Sequence, residues 1–122
     1  VIKIKTASAK AKGRMLQKIV MLALWYKYKG FDLECGIDGD ISSREMGQSG
    51  TDVRLSPKAK KYIPFDIECK NQENISIWSC LEQCEKNTEE NRIPLLIFKR
   101  NRSKIYACIE MDELLKLVQL DE

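Results

Sequence analysis

From Ala9 to about Tyr28, apolar residues Leu16, Ile19, Val20, Ala23 and Leu24 recur at helical spacing with lysines opposite, which predicts a long amphipathic helix. Thr6 or Ser8 suits its N-cap, Gly30 its C-cap, and Phe31 can pack back on the last turn. Val1 to Lys5 alternates apolar and basic residues, as either a short strand or part of a basic arm over residues 1–8. Turn signals at Cys35-Gly36 and Asp38-Gly39-Asp40 predict a loop, then a strand near Ile41 to Glu45 and a bend over Gly47 to Gly50. Asp52 to Leu55 reads as a short strand, and Ser56-Pro57 as the cap and first residue of one helical turn. Phe65 to Asn71 alternates with period two, as a strand does. Ile75 to about Asn87 carries Ile77, Trp78, Leu81 and Cys84 at helical spacing. Pro94 to Lys99 is a nearly continuous apolar run, expected of a strand buried on both faces, and Asn101-Arg102-Ser103 turns it into a second strand over Lys104 to Glu110. Met111 to Leu120 closes the pattern with a helix carrying Leu114, Leu115, Leu117 and Val118.

This order of elements predicts an α/β fold with a mixed sheet of four or five strands and helices on its faces. The intervening helix lets the Phe65 and Pro94 strands run parallel, and the Arg102 turn makes the last pair antiparallel. At 122 residues the whole chain is expected to be one domain.

Composition then removes function classes. With no histidine, the chain lacks a residue that HNH nucleases, Ser-His and Cys-His hydrolases and HExxH zinc enzymes all need. Five cysteines scattered through apolar segments read as buried small hydrophobes in a reducing compartment, against a zinc site built on Cys80 and Cys84. The longest apolar run is too short for a membrane span, so a cytoplasmic protein is expected. The net charge of +3 conceals a segregation. Residues Val1 to Gly30 hold Lys3, Lys5, Lys10, Lys12, Arg14, Lys18, Lys27 and Lys29 and no acid, whereas the rest is net acidic. That is either a face that meets phosphate or a solvated lysine surface.

The candidate chemistry lies between Gly47 and Asn71. On a strand from Phe65, alternation sends Phe65, Ile67 and Cys69 to one face and Asp66, Glu68 and Lys70 to the other. Three charges on one face of a small domain's strand call for compensation. Asp52 and Glu68 offer carboxylates to Mg²⁺ and the Cys69 carbonyl a third oxygen, with Lys70 placed to orient a nucleophile or offset developing charge. The chemistry implied is metal-assisted phosphodiester hydrolysis, with Mn²⁺ as a substitute. Gly50 frees the backbone before Asp52, and Ser42, Ser43, Gln48 and Ser49 can bond phosphate or simply make the turn. Lys10, Lys12, Arg14, Lys58, Lys60, Lys61 and Arg102 are candidate DNA contacts.

Asp52 followed by Glu68-Cys69-Lys70 resembles the PD-(D/E)XK nuclease superfamily, whose core is restriction-endonuclease-like. With the Lys12-Gly13 helix start and the Ser49-Gly50-x-Asp52 bend, the chain looks more narrowly like the Holliday junction resolvases of archaea and bacteriophages. The resemblance implies a Mg²⁺-dependent endonuclease acting on four-way DNA junctions, in a phage setting inside a host cell. It places Gln17 where such resolvases usually carry a Glu in the first helix, so Glu45 or Asp66 becomes a candidate replacement acid. It also places Asn87 where some relatives have the Tyr of a Gln-x-x-x-Tyr pattern that here begins at Gln83. Cutting two strands related by near two-fold symmetry requires a homodimer, with the last helix or the Lys104 to Glu110 edge as its surface. A non-catalytic nucleic-acid-binding module and a restriction-type endonuclease are the competing readings.

Overall fold

The computed structural model describes residues 5–44 and 50–121. Lys3, Glu45, Gln48 and Ser49 lie outside the described residues, and so does the arm or strand over Val1 to Ile4. The fold is α/β, as the order of elements predicts, with α1 (Lys5–Tyr28), β1 (Ile41–Ser43), β2 (Val53–Leu55), α2 (Pro57–Lys60), β3 (Phe65–Asn71), α3 (Ile77–Asn87), β4 (Ile93–Lys99), β5 (Tyr106–Cys108) and α4 (Met111–Leu117). The five strands divide into an antiparallel β1–β2 hairpin and a three-stranded sheet ordered β3-β4-β5. β3 and β4 run parallel, β4 and β5 antiparallel. The Asp52 N–H donates to the Ile67 carbonyl at 3.0 Å and ties the hairpin to the sheet.

The main core lies between α1 and the β3 face that carries Ile67 and Cys69, with Leu16, Val20, Ile41, Val53 and Ile63 closing it. On the opposite face Leu96 is fully buried, as are Cys80 and Cys84 of α3. Parallel register sets Glu68 opposite Leu96 and Ile67 opposite Leu95, so Glu68 shares the α3 face while Ile67 faces α1.

Several boundaries differ from the sequence pattern for physical reasons. α1 already contains Thr6 and Ser8, so neither caps it. At its far end the left-handed residue is Asp32 (φ 59°), after a 3-10 turn over Lys29–Phe31, and not Gly30. Phe31 stacks on Tyr62 with ring centroids 4.2 Å apart. Ser56 caps α2 as its position before Pro57 predicts, accepting from the Ala59 N–H at 3.0 Å. Its own hydroxyl donates to Asp40 Oδ1 at 2.6 Å, which fastens the Asp38-Gly39-Asp40 loop to this corner. α3 seats itself through Cys80 and Cys84, and Trp78 stands 78% exposed on its outer side. β4 is not buried on both faces, because α1 leaves Leu95 and Ile97 half-covered.

Candidate active site

β3 delivers the candidate residues because its parallel pairing with β4 fixes its side chains by register. The link to β2 brings Asp52 alongside, where its Oδ2 accepts from the Cys69 N–H at 2.6 Å. The bend before it needs Gly50, at φ 98°, where a Cβ would meet the Arg44 guanidinium at 3.1 Å. Arg44 is anchored there in turn, its Nε donating to the Thr51 carbonyl and its N–H to the Asp52 carbonyl.

Glu68 is 2% exposed. Its Oε1 accepts from Asn87 Nδ2 at 2.9 Å, across from the end of α3. Burial pushes its pKa up to about 7; the Asn87 hydrogen bond pulls it down, whereas the Asp52 carboxylate and a hydrogen bond with it raise it, and Lys70 lowers it slightly. The Asp52 carboxylate thus lies beside the buried Glu68 and helps to raise its pKa, one acid on the bend before β2 and the other on β3. A divalent cation would relieve such a juxtaposition directly, since it brings two positive charges to the two acids. The donor set fits a hard ion that accepts one or two protein carboxylates and fills its shell with water or phosphate oxygens. Among the described residues there is no group of three or more His, Cys, Asp or Glu side chains, so the carboxylate pair is the extent of the acidic set.

Other predicted residues are sorted sharply. Asp66, considered as a helper acid, is engaged elsewhere: its Oδ1 accepts from Arg92 Nε at 2.6 Å and its Oδ2 from the Glu89 N–H at 2.9 Å. Gln17 is buried on α1 at 4% exposure and is not without a partner. The Cys69 thiol is buried against the α1 side, and burial raises its pKa, so only the Cys69 carbonyl remains as a metal donor.

The basic candidates fall at opposite ends of β3. Near its start, Lys60 pairs with Glu89, and Lys58 donates to the Asp32 carbonyl at 2.7 Å with the Asp32 carboxylate 4.0 Å away. Lys61 is exposed beside them. Near its end, Asn71 Nδ2 donates to the Lys12 carbonyl at 3.1 Å, which brings the early part of α1 to Lys70. A cleft of about 180 Å³ there is lined by Lys10, Gly13, Lys70 and Asn71 among others. Asn71 Oδ1 is buried with no hydrogen-bond partner among the described residues. Lys10, Lys12, Arg14, Lys70 and Arg102 form no ion pair among the described residues. Arg102 occupies the tip of the β4–β5 turn at φ 63°, and Ser43 sits half-buried on β1 opposite Val53.

Sequence reasoning had no role for Arg92 and saw Asn87 only as a departure from a pattern. The signal for Asn87 was its place at the end of the helix that returns over the Glu68 face.

An Asp just before one strand, brought by the Asp52 N–H bond to Ile67 beside the Glu-x-Lys of another, matches the plan of the PD-(D/E)XK nucleases. A family model described as "Phage putative PDDEXK endonuclease" matches residues 35–121, and the chain belongs to that family. The matched span holds Asp52, Glu68, Lys70 and Asn87 and begins after α1. It carries the nuclease superfamily and not the narrower likeness to junction resolvases. No curated protein and no solved structure matches the chain.

Proposed function

We propose that the chain is a single-domain, divalent-metal-dependent DNA endonuclease that cuts branched DNA, with four-way junctions as its preferred substrate and two copies acting together in the host cytoplasm. The observation that carries this reading is the buried Glu68 with the Asp52 carboxylate beside it, and Lys70 two residues on along β3 at the end where Lys10 and Lys12 lie. In this reading Asp52, Glu68 and the Cys69 carbonyl hold Mg²⁺, or Mn²⁺ in its place. When bound, the ion supplies Lewis acidity at the phosphate and lowers the pKa of attached water. Lys70 orients the attacking water and offsets charge on the phosphorane-like transition state. Asp52 is kept in place by the Cys69 N–H and Glu68 by Asn87, so both carboxylates are positioned before substrate arrives. Gln17, which the resemblance puts at the place of a further acid, is buried on α1 and would add no charge to the site.

Lys10, Lys12, Arg14 and Arg102, with Ser43 on β1 and, from the sequence alone, Ser49, are assigned to the DNA backbone. Lys58, Lys60 and Lys61, put forward from sequence, are not: acids engage the first two, and the third lies with them beyond the start of β3.

The test is cleavage of a four-way junction, a linear duplex and a single strand by the purified chain with and without Mg²⁺. Selective, metal-dependent cutting of the junction is expected. Equal cutting of duplex at one sequence makes it a restriction-type enzyme, and binding with no cutting in Mg²⁺ or Mn²⁺ makes it a nucleic-acid-binding module.

A further inference from the structure

α4 has no buried residue, and Leu114, Leu115, Leu117 and Val118 stand between 41% and 58% exposed along it. A seven-residue helix of that composition has too few internal hydrogen bonds to persist on its own and draws its stability from a face that packs. β5, just before it, is the free edge of the three-stranded sheet. Its residues Tyr106, Ala107 and Cys108 include no charge and no proline, the usual protections of an exposed edge. Beside it, where α1 leaves the sheet half-covered, runs an almost wholly apolar groove of about 340 Å³ lined by Ile19, Leu24, Ile67, Leu95, Ile97 and Ile105 among others.

We propose that these three features form one self-complementary surface on which a second copy of this chain docks, β5 pairing with β5 and α4 of each copy entering the groove of the other. The proposal deepens the function above and rests on its paired-copy reading. Strand, helix and groove all belong to one chain, as the self-complementary patch of a two-fold interface requires. An edge strand is extended by another strand, and the copy supplies an identical one. α4 is ~10 Å long at 1.5 Å per residue, matching the roughly two turns of α1 that flank the groove. The large apolar residues of α4 and its cap, the β5 edge and the groove rim are 41–67% exposed, an area on the order of several hundred Å² per copy, the scale that a standard interface takes from each partner.

Light scattering and sedimentation equilibrium on the full chain from 1 to 100 µM read the proposal directly, and a species of twice the 14.1 kDa chain mass is expected. Leu114→Glu on α4, Tyr106→Lys on the edge and Ile19→Lys at the groove rim should each raise the dimer Kd at least ~100-fold, with circular dichroism and cooperative melting retained. All three positions are at least 42% exposed, so the fold tolerates them. A wild-type monomer throughout that range overturns the proposal, including one whose α4 folds onto its own groove. A dimer indifferent to all three substitutions overturns the surface. Junction cleavage is scored separately: a dimer that fails to cut leaves the interface standing and removes the nuclease reading, whereas a monomer that nicks DNA does the reverse.

Discussion

Asp66 and Glu68 sit two residues apart on one strand and one face, both at most 5% exposed, and they have opposite fates. Asp66 meets a buried guanidinium and a backbone N–H, and Arg92 goes on to donate to the carbonyls of Ile63 and Phe65 at 2.8 Å each. Its charge is compensated and it serves as a strut between the start of β3 and the start of β4. Glu68 is given a neutral amide and a second carboxylate instead. Among the described residues Asp66 has an ion pair and Glu68 has none, and in the proposed reading that leaves Glu68 for a charge that arrives later, a contrast between a strut and a site.

The comparison breaks most visibly at Glu68. Glu68→Gln and Asp52→Asn should each lower metal-dependent cleavage by about 10²–10³-fold or more while DNA binding survives, because charge at the metal is lost and the basic end is untouched. Stability should move the other way. Glu68 has its pKa raised from 4.5 to about 7, so the folded chain holds a proton there that the unfolded chain has released. Its contribution is full below about pH 4.5 and is lost as pH rises to about 7, so metal-free protein should weaken across that window. Denaturant midpoints in chelator should show this slope in wild type and not in Glu68→Gln. A flat wild-type profile would mean that Glu68 ionises normally and that its burial beside Asp52 does not raise its pKa.

Asp66→Asn is the mirror experiment. Leaving the Arg92 guanidinium buried at 10% side-chain exposure without its carboxylate should cost about 3–5 kcal/mol of stability. Cleavage per folded molecule should change little at temperatures where the variant is folded. If Asp66→Asn instead removed activity with stability intact, Asp66 would be a site acid after all.

The contrast between these acids was not legible in the sequence, although the strand carrying them was. Phe65 to Asn71 emerged with the observed bounds because period-two alternation is a local property, and Ser56-Pro57 marked its helix because capping is local too. Asp66 and Arg92 are 26 residues apart, and nothing in the pattern around either announces the other. Periodicity likewise showed that α3 and α4 each have an apolar stripe and could not say what would cover it. α3 found Leu96 and the sheet through its two cysteines and left Trp78 outside, and α4 found nothing among the described residues that buries it. That Glu68 and Lys70 share a face was readable because it rests on strand alternation, and the contact of Asn87 with Glu68 was not, since it depends on where α3 ends over the sheet.

Asn87 sharpens the comparison on a smaller scale. Its amide is the one hydrogen bond described on the Glu68 carboxylate from α3, and it works against burial. Asn87→Ala should therefore lose about 1–3 kcal/mol of transition-state stabilisation, roughly tenfold to a hundredfold in kcat/KM, through a carboxylate that is no longer aimed. Asn87→Asp should be worse, placing a third acid against the pair. Cleavage equal to wild type in both would leave Asn87 a helix-end residue and nothing more.

The lysines extend the same logic to the surface, with the smallest effect per residue. Lys58 and Lys60 have acids, as Asp66 has Arg92, whereas Lys10 and Lys12 near the other end of β3, like Glu68, form no ion pair among the described residues. Salt titrations of junction binding separate the two clusters. Each lost phosphate contact lowers the log–log slope by ~0.9, so Lys10→Ala with Lys12→Ala should reduce it by up to about 2. Lys58→Ala with Lys60→Ala should leave the slope unchanged and alter stability by less than about 1 kcal/mol, the usual scale of exposed pairs. The reverse result would place DNA at the start of β3, across Lys58, Lys60 and Lys61, and would require the strand to reach Asp52 and Glu68 from the side of α2.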